Sequence, residues 1–168
     1  MRGLSLNFNK MKTLARRIGT PGGGFTLVEI MIVVAVIGVL AAIAIPNSLR
    51  VRMNVNEGAI RAELRAFSTA SESYRSFLKP PSYSPDIDTL VTQSYINGSW
   101  LNPVGKSGYS FVYQVADSHA TYAIEANPVT PGTTGVRSYC IDQSGALVSG
   151  AEAGLAAAEG CVGGTPLS

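Results

Sequence analysis

From Phe25 to Ile45 the chain runs for 21 residues with a single charge, Glu29. A helix of about 20 apolar residues spans the hydrocarbon core of a bilayer. Such a helix is apolar all round and has to be covered on every side, by lipid or by protein. This excludes a simple water-soluble domain for the first third of the chain. Glu29 adds a second constraint: a carboxylate inside such a segment is costly, and by default it serves a function.

Charge is divided at the same point. Residues 1–24 carry Arg2, Lys10, Lys12, Arg16 and Arg17 and no acid, a charge of +5, which leaves −3 for residues 25–168. Basic residues ahead of an apolar span keep that end in the cytoplasm, so everything beyond Ile45 is expected to be exported. The basic character belongs to the leader, and residues 25–168 hold no cluster suited to tracking phosphates, so no nucleic-acid site is expected. In an oxidising compartment Cys140 and Cys161 can pair, closing a loop of about 20 residues worth roughly 3 kcal/mol; two free thiols are the alternative.

Three readings of the N-terminus compete. An ordinary signal peptide would be cut near Ala42-Ile43-Ala44, but its apolar core is usually only about 7–15 residues long. An uncleaved anchor accepts the length. Neither gives Glu29 a purpose. The third reading places the cut before the apolar block, after Gly24, and keeps the whole helix.

The residues Gly24-Phe25-Thr26-Leu27-Val28-Glu29 resemble the class III signal of type IV pilins and type II secretion pseudopilins. The resemblance implies that a prepilin peptidase cuts after Gly24 and N-methylates Phe25, the new N-terminus. It implies a subunit held in the inner membrane by lipid contact, with its N-terminus cytoplasmic. An assembly platform and its ATPase would then polymerise it with copies of itself into a helical filament, either an extracellular pilus or, as the alternative, a periplasmic pseudopilus. A buried amine at Phe25 needs a partner, and Glu29, one helical turn on, is its natural candidate. In the family that carboxylate is thought to meet the amine of an adjacent subunit and set axial register. Thr26 is expected to satisfy its hydroxyl against a backbone carbonyl and to assist. A membrane-anchored binding protein that never polymerises is a third class.

The helical pattern continues past the membrane. Ile60, Leu64, Phe67, Ser71, Tyr74 and Leu78 step by three and four and form one stripe, interrupted by Ser71. Arg61, Arg65 and Glu72 fall on another face, and Glu57 with Arg61 forms an i,i+4 pair. Lys79-Pro80-Pro81 ends the helix. One helix over about Phe25–Phe77, roughly 80 Å long, is therefore expected. Gly38 and Pro46 lie within it and weaken it; in pilins with glycine and proline at matching places the segment between them can melt in the filament, and the resemblance implies this for Gly38–Pro46, with a gentle kink and no melting as the alternative.

After Pro81, Gly, Pro, Ser, Thr and Asn become frequent. A short helix is expected within Asp86–Tyr95. Strands are expected over Tyr109–Val115, Thr121–Ala126, Arg137–Ile141 and Ala146–Val148, with the tail from Ser149 as loop or short helix. The fold class is α+β: a long helix packed on an antiparallel sheet of three to four strands, similar to the pilin head. The organisation reads as a leader over 1–24, an apolar half-helix over 25–53 and a head over 54–168. His119 is the only histidine and lies in a turn. Two cysteines and one distant histidine do not make a metal site, and Asp117 and Asp142 suit local caps. No catalytic residue, metal or cofactor is expected, and an enzyme is not.

Overall fold

The computed structural model describes residues 24–102 and 105–167. All of the basic leader except Gly24 lies outside them. The described residues fall into two compact units, divided between Ala41 and Ala42.

Helix α1 runs Leu27–Phe77 and includes both Gly38 and Pro46. It starts two residues later than the periodicity predicts. The first N–H groups of a helix have no acceptor within it, and here the side chains of Thr26 and Glu29 meet that need, so Thr26 caps the helix from outside. In the second unit α1 buries Ile60, Leu64, Phe67, Ser71 and Tyr74, the stripe read from the sequence. Ser71 interrupts it, beside the hydroxyl of Tyr122. Leu78 lies just past the helix and is half-buried. One expectation for the other face fails, and Glu72 stays partly exposed on it beside Arg75. Glu57 makes no ion pair with Arg61; its carboxylate accepts from Val136 N–H at 3.0 Å and from the Tyr139 hydroxyl at 2.8 Å. Glu72 is half-buried and accepts from the Tyr83 hydroxyl.

Helix α2, Ile87–Thr92, is capped by Asp86, which accepts from Thr89 N–H. A 3-10 turn over Gly98–Leu101 places Trp100 in the core. The strands are β1 Tyr109–Val115, β2 Tyr122–Pro128, β3 Ser138–Asp142, β4 Leu147–Gly150, β5 Ala156–Ala157, β6 Gly160–Cys161 and β7 Thr165–Pro166. Five of them form one antiparallel sheet in the order β1-β2-β3-β4-β7, and β5 and β6 pair separately. The fold class stands, with a strand count above the expected three or four. The tail is neither loop nor helix: it makes the β5–β6 pair and then supplies β7 as an edge strand. Its Gly- and Ala-rich sequence carries no alternation that would mark such short strands.

The core joins the α1 stripe to one sheet face through an aromatic cluster. Phe67 lies 5.0 Å from Trp100, 5.8 Å from Tyr113 and 6.2 Å from Tyr122, centroid to centroid. Strand β2 is buried on both faces from Tyr122 to Ala126. Tyr122, Ile124 and Ala126 belong to the helix side, whereas Ala123 packs with Cys140 and Leu155 beneath the tail. The second unit is thus three layers deep: helix, sheet and tail.

Candidate functional site

The start of α1 is built from four consecutive features. Gly24 and Phe25 are exposed and precede the helix, so the Gly24–Phe25 peptide bond lies outside regular structure. Among the described residues no atom other than those of its chain neighbours lies within 4 Å of where a Cβ on Gly24 would stand. Thr26 and Glu29 then form a reciprocal pair. The Thr26 hydroxyl oxygen accepts from Glu29 N–H at 3.2 Å, and the Glu29 carboxylate accepts from Thr26 N–H at 3.4 Å. This is a capping box, which the spacing Thr26-x-x-Glu29 already spells. It also corrects the role expected of Thr26: its hydroxyl accepts from a backbone N–H rather than donating to a carbonyl. In the uncut chain Phe25 is not helical, so its relation to Glu29 is that of a neighbour to the cap rather than of two residues on one helix face.

Beyond the cap, every residue from Leu27 to Leu40 is exposed, and so are Ile43 and Ile45. Phe25 is 78% exposed and Ile43 71%, values that no aqueous surface sustains over such a length. Helix α1 is long and apolar enough to cross a membrane.

Within the second unit, Cys140 and Cys161 are joined as a disulfide with Cα atoms 6.0 Å apart. Asp142 flanks the bridge: it accepts from Ser144 N–H and from Cys161 N–H, both at 2.9 Å. Burial works against its charge, but these hydrogen bonds and that of the Ser144 hydroxyl outweigh it and hold the carboxyl below the usual range. The local cap read from the sequence is present and also reaches across to the tail. Asp86 is likewise held low by its bonds to Thr89. Burial pushes the phenols of Tyr83, Tyr109, Tyr113 and Tyr122 up from their ordinary value, and Tyr139 is pushed up to about 12 by burial and by its bond to Glu57. Among the described residues no group of three or more His, Cys, Asp and Glu side chains could hold a metal ion.

Sequence reasoning missed the residues that fasten the loops. Asn56 Nδ2 donates to Thr134 O at 2.8 Å, and Lys106 Nζ meets Glu63 at 2.7 Å. Glu125, 2% exposed, lies on the outward side of β2. Alternation along β2 places it opposite the core and so predicts solvent. Nothing local announces that the tail covers it.

Residues 23–45 match the family model described as the prokaryotic N-terminal methylation motif. The chain is 49% identical over 53 residues to the type IV major pilin protein PilA of Myxococcus xanthus, a match covering 32% of this chain and 24% of that one. It is 30% identical over 109 residues to a fimbrial protein of Neisseria meningitidis, covering 64% and 63% of the two chains. The type IV wide pilus major component PilA4 of Thermus thermophilus matches at 42% over 52 residues, covering 31% and 40%. Over these spans the chain is similar to type IV pilins and fimbrial proteins. Its matches span less than two thirds of each of these relatives. No solved structure matches it.

Proposed function

We propose that the chain is the precursor of a type IV pilus subunit. The observation that carries this reading is the pairing of an accessible Gly24–Phe25 bond with a capped helix whose first half offers only exposed apolar surface. Lipid covers that surface before assembly, and copies of the same helix cover it afterwards. The names of the relatives, major pilins and fimbrial proteins, favour a pilus over a secretion pseudopilus.

In this reading a prepilin peptidase removes residues 1–24 and methylates Phe25. Residues 25–53 form the filament core, and residues 54–168 form the exposed head. Cutting creates an ammonium one residue before the Thr26 cap. Glu29 then has two claimants: the N–H of the capping Thr26 and a cationic amine. An amine adds charge–charge attraction that a backbone N–H does not offer, so the carboxylate favours an amine once one is in reach. An amine presented by a neighbouring subunit fixes axial register, because a slipped helix leaves both charges buried and unpaired. Within α1, Pro46 has no N–H to give to the carbonyl of Ala42, and Gly38 lowers helix propensity by about 1 kcal/mol. The Gly38–Pro46 segment melts when the helices pack. An assembly platform and its ATPase drive insertion.

The mass of the mature N-terminus tests processing: a chain starting at methylated Phe25 is expected, and an intact Met1 or a start near Ile45 refutes it. Glu29→Ala is expected to leave processing and head folding intact while abolishing filaments; normal filaments remove the register argument. Loss of secretion with surface filaments intact, on deleting the gene, assigns the chain to a pseudopilus instead.

A further inference from the structure

The tail over 151–161 is held to the outer sheet face by contacts that do not involve sulfur. Glu125 stands opposite Cys140 in the β2–β3 register. Its Oε1 accepts from Gly154 N–H at 2.9 Å, and its Oε2 accepts from Leu155 N–H at 3.0 Å and Ala156 N–H at 3.2 Å. Three successive N–H groups converge on one carboxylate, an anion nest; Gly154, at φ 99°, supplies the left-handed turn that aims them. Three more side chains grip the same segment by its backbone. Thr121 Oγ1 donates to Ala158 O at 2.9 Å, Gln143 Nε2 donates to Glu159 O at 3.1 Å, and Asp142 accepts from Cys161 N–H. Leu155, 7% exposed, packs with Ala123 and Cys140.

A buried carboxylate with no partner is costly, and these N–H groups are what satisfies Glu125. We propose that Glu125 places the tail before the disulfide forms, and so acts as a positioning residue for the oxidation of Cys140 and Cys161. The bridge then locks a tail that is already docked. Oxidation proceeds by exchange with a disulfide oxidant. One cysteine loses its proton, attacks the oxidant and forms a mixed disulfide, releasing one oxidant thiol. The second cysteine loses its proton and displaces the other oxidant thiol, closing Cys140–Cys161; the oxidant leaves reduced. Glu125 acts on this second, intramolecular step by holding Cys161 beside Cys140. It does not act through the first step, where its negative charge near Cys140 disfavours the thiolate. This inference goes beyond the filament reading and does not depend on it.

The test uses the full chain in detergent micelles. In a Cys140→Ser, Cys161→Ser variant the amides of Leu155 and Ala156 are expected to keep slow hydrogen exchange. Adding Glu125→Gln, which puts an amide N–H₂ in place of one of the two accepting oxygens and removes the charge, is expected to accelerate that exchange by at least about tenfold. With both cysteines present and reduced, Glu125→Gln is expected to slow closure from the mixed disulfide with glutathione by about tenfold, while the first step is unchanged or faster. If Glu125→Gln loosens β2 itself, seen as lost protection at Tyr122 and Ile124, Thr121→Val takes its place, because it removes the bond to Ala158 O and leaves the Gln143 bond to Tyr122 N–H, and slower closure is again expected. Free exchange at Leu155 and Ala156 in the cysteine-free chain, with β2 still protected, overturns the proposal. Closure at the unchanged rate in a variant that keeps β2 protected also overturns it.

Discussion

Replacing Phe67 by alanine is expected to cost about 4 kcal/mol of head stability. The side chain is fully buried. Its transfer from water to the core is worth about 2 kcal/mol. Removing the ring leaves a cavity on the order of 90 Å³, which at about 24 cal/mol per Å³ adds roughly 2 kcal/mol. Collapse around the gap is restricted, because its aromatic neighbours sit on three different supports: Trp100 on the 3-10 turn, Tyr113 on β1 and Tyr122 on β2. The loss of edge and tilted ring contacts works in the same direction. Urea unfolding of the full chain in detergent, followed by fluorescence, reads the event directly, because Trp100 is the chain's single tryptophan and it touches the substituted site. With a slope of about 2 kcal/mol per M, the midpoint falls by about 2 M. Phe77→Ala is the control: Phe77 is 77% exposed and its loss is expected to cost less than about 1 kcal/mol. A Phe67→Ala midpoint within 0.5 M (about 1 kcal/mol) of the parent, at equal slope, refutes the reasoning. So does a Phe77→Ala loss of equal size.

Alkaline stability follows from the buried phenols. Their folded-state values lie above the unfolded value, so the stability they confer is complete below about pH 10 and is lost as pH rises beyond it. For Tyr139, raised to about 12, the loss approaches about 2–3 kcal/mol by pH 12; Tyr139→Phe is expected to flatten the fall of the urea midpoint between pH 10 and 12, and an unchanged slope contradicts the assignment. Gly135→Ala is expected to cost about 2–3 kcal/mol, read as a lower melting temperature, because the added Cβ would stand 1.9 Å from the Tyr109 hydroxyl oxygen. Glu57→Ala removes the acceptor of both Val136 N–H and the Tyr139 hydroxyl. It is expected to cost about 2–3 kcal/mol and to make the 130–137 loop the first site cut in limited proteolysis.

The elements set by strong local periodicity were legible in the sequence. The stripe Ile60–Tyr74 reports its own burial through its spacing, the alternation Tyr109–Val115 reports β1, and Lys79-Pro80-Pro81 stops α1. The motif around Gly24 and Glu29 was legible too, and the spacing Thr26-x-x-Glu29 carries the capping box as a second meaning beside the membrane-embedded charge. What escaped depends on chain segments far apart in sequence. Glu57 reaches a loop 79 residues away, and Glu125 meets backbone groups 29 to 31 residues on. A carboxylate in a strand or on a helix looks solvated until something covers it, and neither propensity nor hydropathy carries that information. The short strands β5, β6 and β7 are selected by the surface they lie on rather than by β-branched residues of their own.

The two outward loops of the second unit share one property of their anchoring. Asn56 and Glu57 hold the 130–137 loop through Thr134 O and Val136 N–H, and Glu125, Thr121, Gln143 and Asp142 hold the tail through N–H and C=O groups. What is recognised in each case is main chain, which every residue type carries alike. Positions such as Thr133, Arg137, Glu152 and Ala153, all exposed, are therefore free to change their side chains while the scaffold stays put. Lineages of this chain could exchange charge, size and polarity at these places one residue at a time, renewing what the surface presents to its surroundings without refolding what presents it.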